Sequence, residues 1–141
     1  MWRELIADLG ENAVFNPPAS VEEIQNLETR LQMSLPEDFV ALLGETNGAE
    51  VGFVRIVWSI NEIAENNEEL RSQVRIGGEL QAYMPVDHLF FFGEAGNGDL
   101  FAFPIAPEGA RNRVFMWNHE DDSRTCQAHS LADWLRGTNG R

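Results

Sequence analysis

The sequence predicts an α+β fold: a single domain over residues 1–141 with one antiparallel sheet of about four to six strands and helices packed on one face. Three observations lead there. Apolar residues recur at helical spacing through the first fifty residues, and short β-branched and aromatic runs fill much of the second half. The two kinds of segment follow one another in blocks; regular alternation would instead suggest a parallel sheet. At 141 residues the chain buries roughly 70% of its unfolded surface, enough for a core without disulfides or metal.

The helices come first. Trp2, Leu5, Ile6 and Leu9 share one face of a helix from Trp2 to Leu9, with Gly10 as its stop. Pro17-Pro18 closes a loop. Ser20 and Glu23 make an S-x-x-E capping box for a second helix, whose apolar face is Val21, Ile24, Leu27 and Leu31. Glu22, Glu23, Gln25, Asn26 and Arg30 face water. Leu35-Pro36-Glu37-Asp38 starts a third helix, since proline needs no donor in a first turn and acids favour the positive end of the dipole. Phe39, Leu42 and Leu43 form its buried stripe, and Asn47-Gly48 tolerates the positive φ of a stop.

From Phe53 the pattern changes. Phe53 to Trp58 reads as a strand, and Ser59 opens a helix to about Arg71 in which Asn66-Asn67 is a weak point, because asparagine competes for the backbone. His88 to Phe92, Leu100 to Ile105, Arg113 to His119 and Arg124 to His129 read as strands. The first two are joined by the glycine-rich turn Gly93 to Asp99. Pro104, lacking a donor, belongs at a strand end or sheet edge. Ser130 to Arg136 is a closing helix with Leu131, Trp134 and Leu135 inward, ended by Gly137.

Charge limits the function classes. Twenty-three acids against ten arginines and no lysine give −13, with −8 in residues 1–52, −5 in 53–104 and zero in 105–141. Such a field repels nucleic-acid phosphate and anionic lipid and attracts basic partners. The lone Cys126 permits no internal disulfide, and neither a signal-peptide pattern nor a membrane-length apolar run is present, so a cytoplasmic protein is expected.

Chemistry has few footholds. Asp87-His88, His119-Glu120-Asp121-Asp122 and His129 hold imidazoles and carboxylates, but Glu120 to Ser123 is ordinary turn chemistry and no HExxH-type spacing occurs. Gly93-x-x-Gly96-x-Gly98 lacks the following helix and the lysine of a phosphate loop. Cys126 near His119 or His129 has no electropositive setting, so a buried or half-buried structural cysteine is expected. The aromatic runs around Phe90, Phe101 and Trp117 have no basic groove for bases and read as core.

Three stretches carry a resemblance. They are Val21 to Leu31 running into Leu35-Pro36-Glu37-Asp38-Phe39, Leu42-Leu43 and Asn47-Gly48; Gly96-Asn97-Gly98-Asp99 before Leu100-Phe101-Ala102-Phe103; and Val114 to Glu120 followed by Ala128 to Leu135. In order and spacing, over about residues 18–137, the chain resembles the SUKH superfamily of Smi/Knr-like cell-wall regulators and bacterial immunity proteins. Pro104 departs from that pattern, in which an acid is commoner near the strand end. The resemblance implies a non-enzymatic binding domain without catalytic residues or cofactor. It would neutralise a polymorphic or contact-dependent toxin of nuclease or deaminase class; the alternative is a scaffold or regulator related to cell-wall synthesis. The acids suit a basic partner, and Glu62, Glu65, Glu69, Glu94 and Asp99 are the expected partner-binding residues.

Overall fold

The computed structural model describes residues 1–75 and 88–137. Its elements are α1 (Trp2–Ala7), β1 (Val14–Phe15), α2 (Val21–Leu31), α3 (Glu37–Leu43), β2 (Ala49–Val51), β3 (Val54–Val57), α4 (Ile60–Arg75), β4 (Leu89–Glu94), β5 (Leu100–Ala106), β6 (Gly109–Ala110), β7 (Val114–Trp117), β8 (Arg124–Ala128) and α5 (Leu131–Arg136). This is the expected α+β architecture with antiparallel pairing throughout. The strands form two sheets, one ordered β1-β2-β3 and one ordered β4-β5-β7-β8 with β6 on the far end of β5. The two- and three-residue strands β1, β2 and β6 are too short to show a period of two, so the sequence pattern missed them.

Local chemistry sets the helix ends. The Ser20 hydroxyl accepts the Glu23 N–H at 3.1 Å and the Glu23 carboxylate accepts the Ser20 N–H at 2.9 Å, completing the capping box. α1 ends two residues earlier than the pattern suggested, leaving Leu9 40% exposed, and Val21 at the first turn of α2 is 71% exposed, outside the apolar face assigned to it. α3 stops at Leu43. Gly48, with φ +91°, lies beyond that end, and a Cβ there would lie 2.7 Å from the Ser59 nitrogen. Its conformation is therefore fixed by close approach to the start of α4, and the helix stop lies elsewhere.

The core centres on aromatic rings. Phe39 of α3, Phe90 and Phe92 of β4 and Phe103 of β5 are fully buried, with Phe92 and Phe103 stacked at 4.3 Å. Trp134 of α5 closes on Phe92 at 5.2 Å and on Phe101 at 4.8 Å. α3 and α5 thus cover one face of the five-stranded sheet, while Phe91 meets Trp117 on the other at 5.7 Å.

The two sheets meet at β3 and β4. The Trp58 N–H donates to the Phe92 carbonyl at 2.7 Å, and a Cβ on Gly93 would lie 1.8 Å from the Ile56 carbonyl oxygen. Only a glycine allows that approach. Pro104 lies inside β5, where pairing on one side passes from β7, ending at Ala102, to β6, beginning at Ile105. Strand alternation turns its nitrogen into that break, where no donor is required.

Candidate partner-binding site

The site is built around the start of α4. The Ser59 hydroxyl accepts the Glu62 N–H at 3.3 Å and Glu62 accepts the Ser59 N–H at 2.9 Å, a second capping box. The same carboxylate accepts hydrogen bonds from Nε and Nη2 of Arg55, across from it on β3. Partial burial opposes the Glu62 charge, but the Arg55 and Ser59 bonds outweigh it and hold the carboxyl below its usual range. The Glu62 bond, against the cost of partial burial, raises the Arg55 pKa further, with Glu50 and Glu94 adding to the effect. Arg55 is thus a cation set among three acids.

Glu94, at the end of β4, accepts the Trp58 indole N–H at 3.0 Å. Glu69 and Glu94, twenty-five positions apart in the chain, line one cleft of about 230 Å³ together with Trp58, Asn66, Leu70 and Leu100. Glu65 lies exposed one turn before Glu69. Glu68 pairs through both carboxylate oxygens with Arg30 of α2, at 2.6 and 3.2 Å. Glu65 and Glu69 are both exposed on the outer face of α4, and Glu94 stands at its border with the β4–β5 hairpin.

Asp99 occupies a different setting. It is 5% exposed, its carboxylate binds His119 Nδ1 at 2.7 Å and accepts the His119 N–H at 3.2 Å. The imidazole lies against Gly98, where φ is +96° and a Cβ would lie 2.7 Å from the ring. Asp99 shapes the hairpin from within. Among the acids named from sequence, Glu62 is held by Arg55, Glu94 by Trp58 and Asp99 by His119. The S-x-x-E spacing of Ser59 and Glu62 was the available signal for the first. Nothing local marks the other two, whose partners lie 36 and 20 residues away.

A second concavity adjoins the first. A groove of about 370 Å³ runs between the β2–β3 hairpin, the middle of the large sheet and α5, with Glu94 on its rim as well. At the hairpin tip Val51 pairs with Val54 across a two-residue turn, Gly52-Phe53, in which both φ values are positive (+57° and +68°). That is the backbone sense of a type I′ turn, which favours glycine in its second central place. Phe53 is therefore a turn residue and not the first residue of a strand, and holding a bulky side chain there costs roughly 1–3 kcal/mol. Another cleft, about 640 Å³, lies apart, between the end of α2 and the β5–β6 turn; its charged lining is Glu28, Arg71 and Glu108. Glu28 accepts the Leu35 N–H there and Glu108 pairs with Arg111.

The footholds for catalysis do not converge. His88 contacts Arg124, His119 is held by Asp99, and His129 is exposed just past the end of β8. Asp87 lies outside the described residues. Among the described residues no group of three or more His, Cys, Asp or Glu side chains is placed to hold a metal ion, and no helix is long and apolar enough to cross a membrane. Cys126, expected to be buried or half-buried, is exposed on β8, because that strand has no neighbour beyond it among the described residues.

No curated protein matches the sequence significantly. A known family's model matches residues 18–137, most of the chain: it belongs to the SMI1/KNR4 family (SUKH-1).

Proposed function

We propose that the protein works by binding another protein, without chemistry of its own, and that its partner is a cationic bacterial toxin domain of nuclease or deaminase class which it neutralises by occlusion. Membership of the SMI1/KNR4 family supports a protein-interaction or immunity-type role. The single observation that carries the choice of a cationic partner is the cleft shared by Glu69 and Glu94, with Glu65 beside it on the same helix, in a chain of net charge −13. An acidic face of this kind steers a basic domain into contact and covers the surface it would use for phosphate.

The test is to co-express the protein with the product of the adjacent gene in a sensitive host. Protection together with a stoichiometric complex supports neutralisation. Binding without protection would replace it with a regulatory scaffold, and absence of binding to a demonstrably toxic neighbour would overturn the proposal.

A further inference from the structure

We propose that the tip of the β2–β3 hairpin and the groove beside it form the anchoring half of the interface, accepting a basic protein segment that carries an apolar projection, with Phe53 as the protein's own anchor. The proposal rests on the binding role argued above and names the surface that would make its tight contact.

Two features of Phe53 point outward. It is 84% exposed, the most exposed of the large apolar side chains among the described residues. Its φ of +68° is a conformation that glycine adopts without strain and phenylalanine does not. Burial does not explain an aromatic ring at this place, and backbone preference opposes it. Strained residues of this kind cluster where a ligand is clamped.

The groove supplies the rest. Val51, Val54, Ile56, Phe101, Met116 and Trp134 give it an apolar lining, and every one of them is only partly buried. Of its twelve lining residues two are acids, Glu94 and Asp133, and none is basic. An apolar floor inside an acidic rim selects a hydrophobic projection flanked by arginine or lysine, and rejects nucleic acid and anionic lipid. Glu94 lines both concavities, so the groove adjoins the cleft that Glu69 also lines. Steering and anchoring then fall to adjacent surfaces, the arrangement in which a few central apolar contacts dominate affinity and charges surround them.

Two peptide probes test this by amide-resolved NMR titration of the full chain. One carries two arginines on each side of a leucine–tryptophan–leucine centre, and the other has glutamates in their place. Saturable shifts at Val51, Val54, Phe101 and Trp134 with the arginine peptide alone are expected. Affinity should fall about tenfold in Phe53→Gly, a change that also relieves strain and so keeps the fold, and should persist in Phe53→Tyr. No saturable shift, shifts centred on other surfaces, equal binding of both peptides, or equal affinity of Phe53→Gly would each overturn the proposal. The product of the adjacent gene separates the two proposals. If the wild type binds it and Phe53→Gly releases it no faster, the docking surface falls and the binding role stands. If the wild type does not bind it, the binding role falls, and the peptides alone decide the groove.

Discussion

Asn67 of α4 pairs with the backbone of Phe91 as a neighbouring strand would: its Nδ2 donates to the Phe91 carbonyl at 2.8 Å and its Oδ1 accepts the Phe91 N–H at 2.9 Å. The residue is fully buried, and Nδ2 also reaches the Ile63 carbonyl at 2.7 Å. The edge of β4 turned away from β5 is thereby closed by one side chain and, one residue on, by the Trp58 N–H. Replacing Asn67 with alanine leaves a buried donor and acceptor unpaired, so a loss of about 3 kcal/mol is expected by urea denaturation. Aspartate should be no better, since it loses the donor and buries a charge. A loss below about 1 kcal/mol would refute the edge-closing role.

The same residue marks what the sequence could and could not reveal. Asparagine in a helical run reads as a weak point because it competes for backbone groups; here it does compete, but for the backbone of a strand twenty-four positions away. The Ser20 capping box was legible because both of its bonds span three residues. The acidic character of α4 was legible from composition, whereas the partners of Glu94 and Asp99 were not, since each is set by tertiary approach. Phe53 was misread because aromatic and β-branched neighbours argue for a strand, and only the pairing of Val51 with Val54 turns Gly52-Phe53 into its turn.

Gly93 and Gly52 should respond very differently to alanine. A Cβ at Gly93 meets the Ile56 carbonyl oxygen at 1.8 Å and its carbon at 2.7 Å, so β3 and β4 must separate. A cost of about 3 kcal/mol or more is expected. Gly52 has nothing within 4 Å, and its alanine variant meets only the penalty of positive φ, about 1 kcal/mol. Equal losses in the two variants would contradict the close approach of the sheets.

The capping boxes give a graded series. Ser20→Ala should cost about 1 kcal/mol. Glu62→Ala should cost more, about 2 kcal/mol, because it removes a cap and also strips the partner from Arg55, whose side chain is only 25% exposed. Glu65→Ala, on the open face of the same helix, should stay within about 0.5 kcal/mol. Thermal or chemical unfolding that ranks Glu65 above Glu62 would reverse the assignment of these two acids.

Asp99 should leave a signature in acid. Its bond to His119, against the opposing effect of desolvation, holds its carboxyl below the ordinary 3.8, with the His119 N–H and Asn97 assisting. The unfolded chain therefore takes up this proton first as pH falls. The stabilisation is complete above about pH 4 and disappears as pH drops through the lowered folded value. The gap in unfolding free energy between wild type and Asp99→Asn should hold its full size above about pH 5 and close progressively below about pH 4. A gap that stays constant through that range would mean the carboxylate charge contributes nothing.

The kinetic prediction separates the acids that steer from those that hold the fold. Reversing Glu62, Glu65 and Glu69 together would confound the two, because Glu62 is part of a helix cap and an Arg55 pair. The informative variant is Glu65→Arg with Glu69→Arg, both on the exposed face of α4. With the cationic partner, wild-type association should slow about tenfold between low and physiological salt, since screening shortens the reach of exposed charges. At low salt the double reversal should slow association several-fold, and dissociation should change by less than about twofold, because rim charges act on encounter more than on the docked state. Phe53→Gly should show the opposite split, with faster dissociation and nearly unchanged association. Stopped-flow measurements across the salt series resolve both rates. An association rate indifferent to salt and to the double reversal would remove the steering role of the α4 face, whatever the groove beside it does.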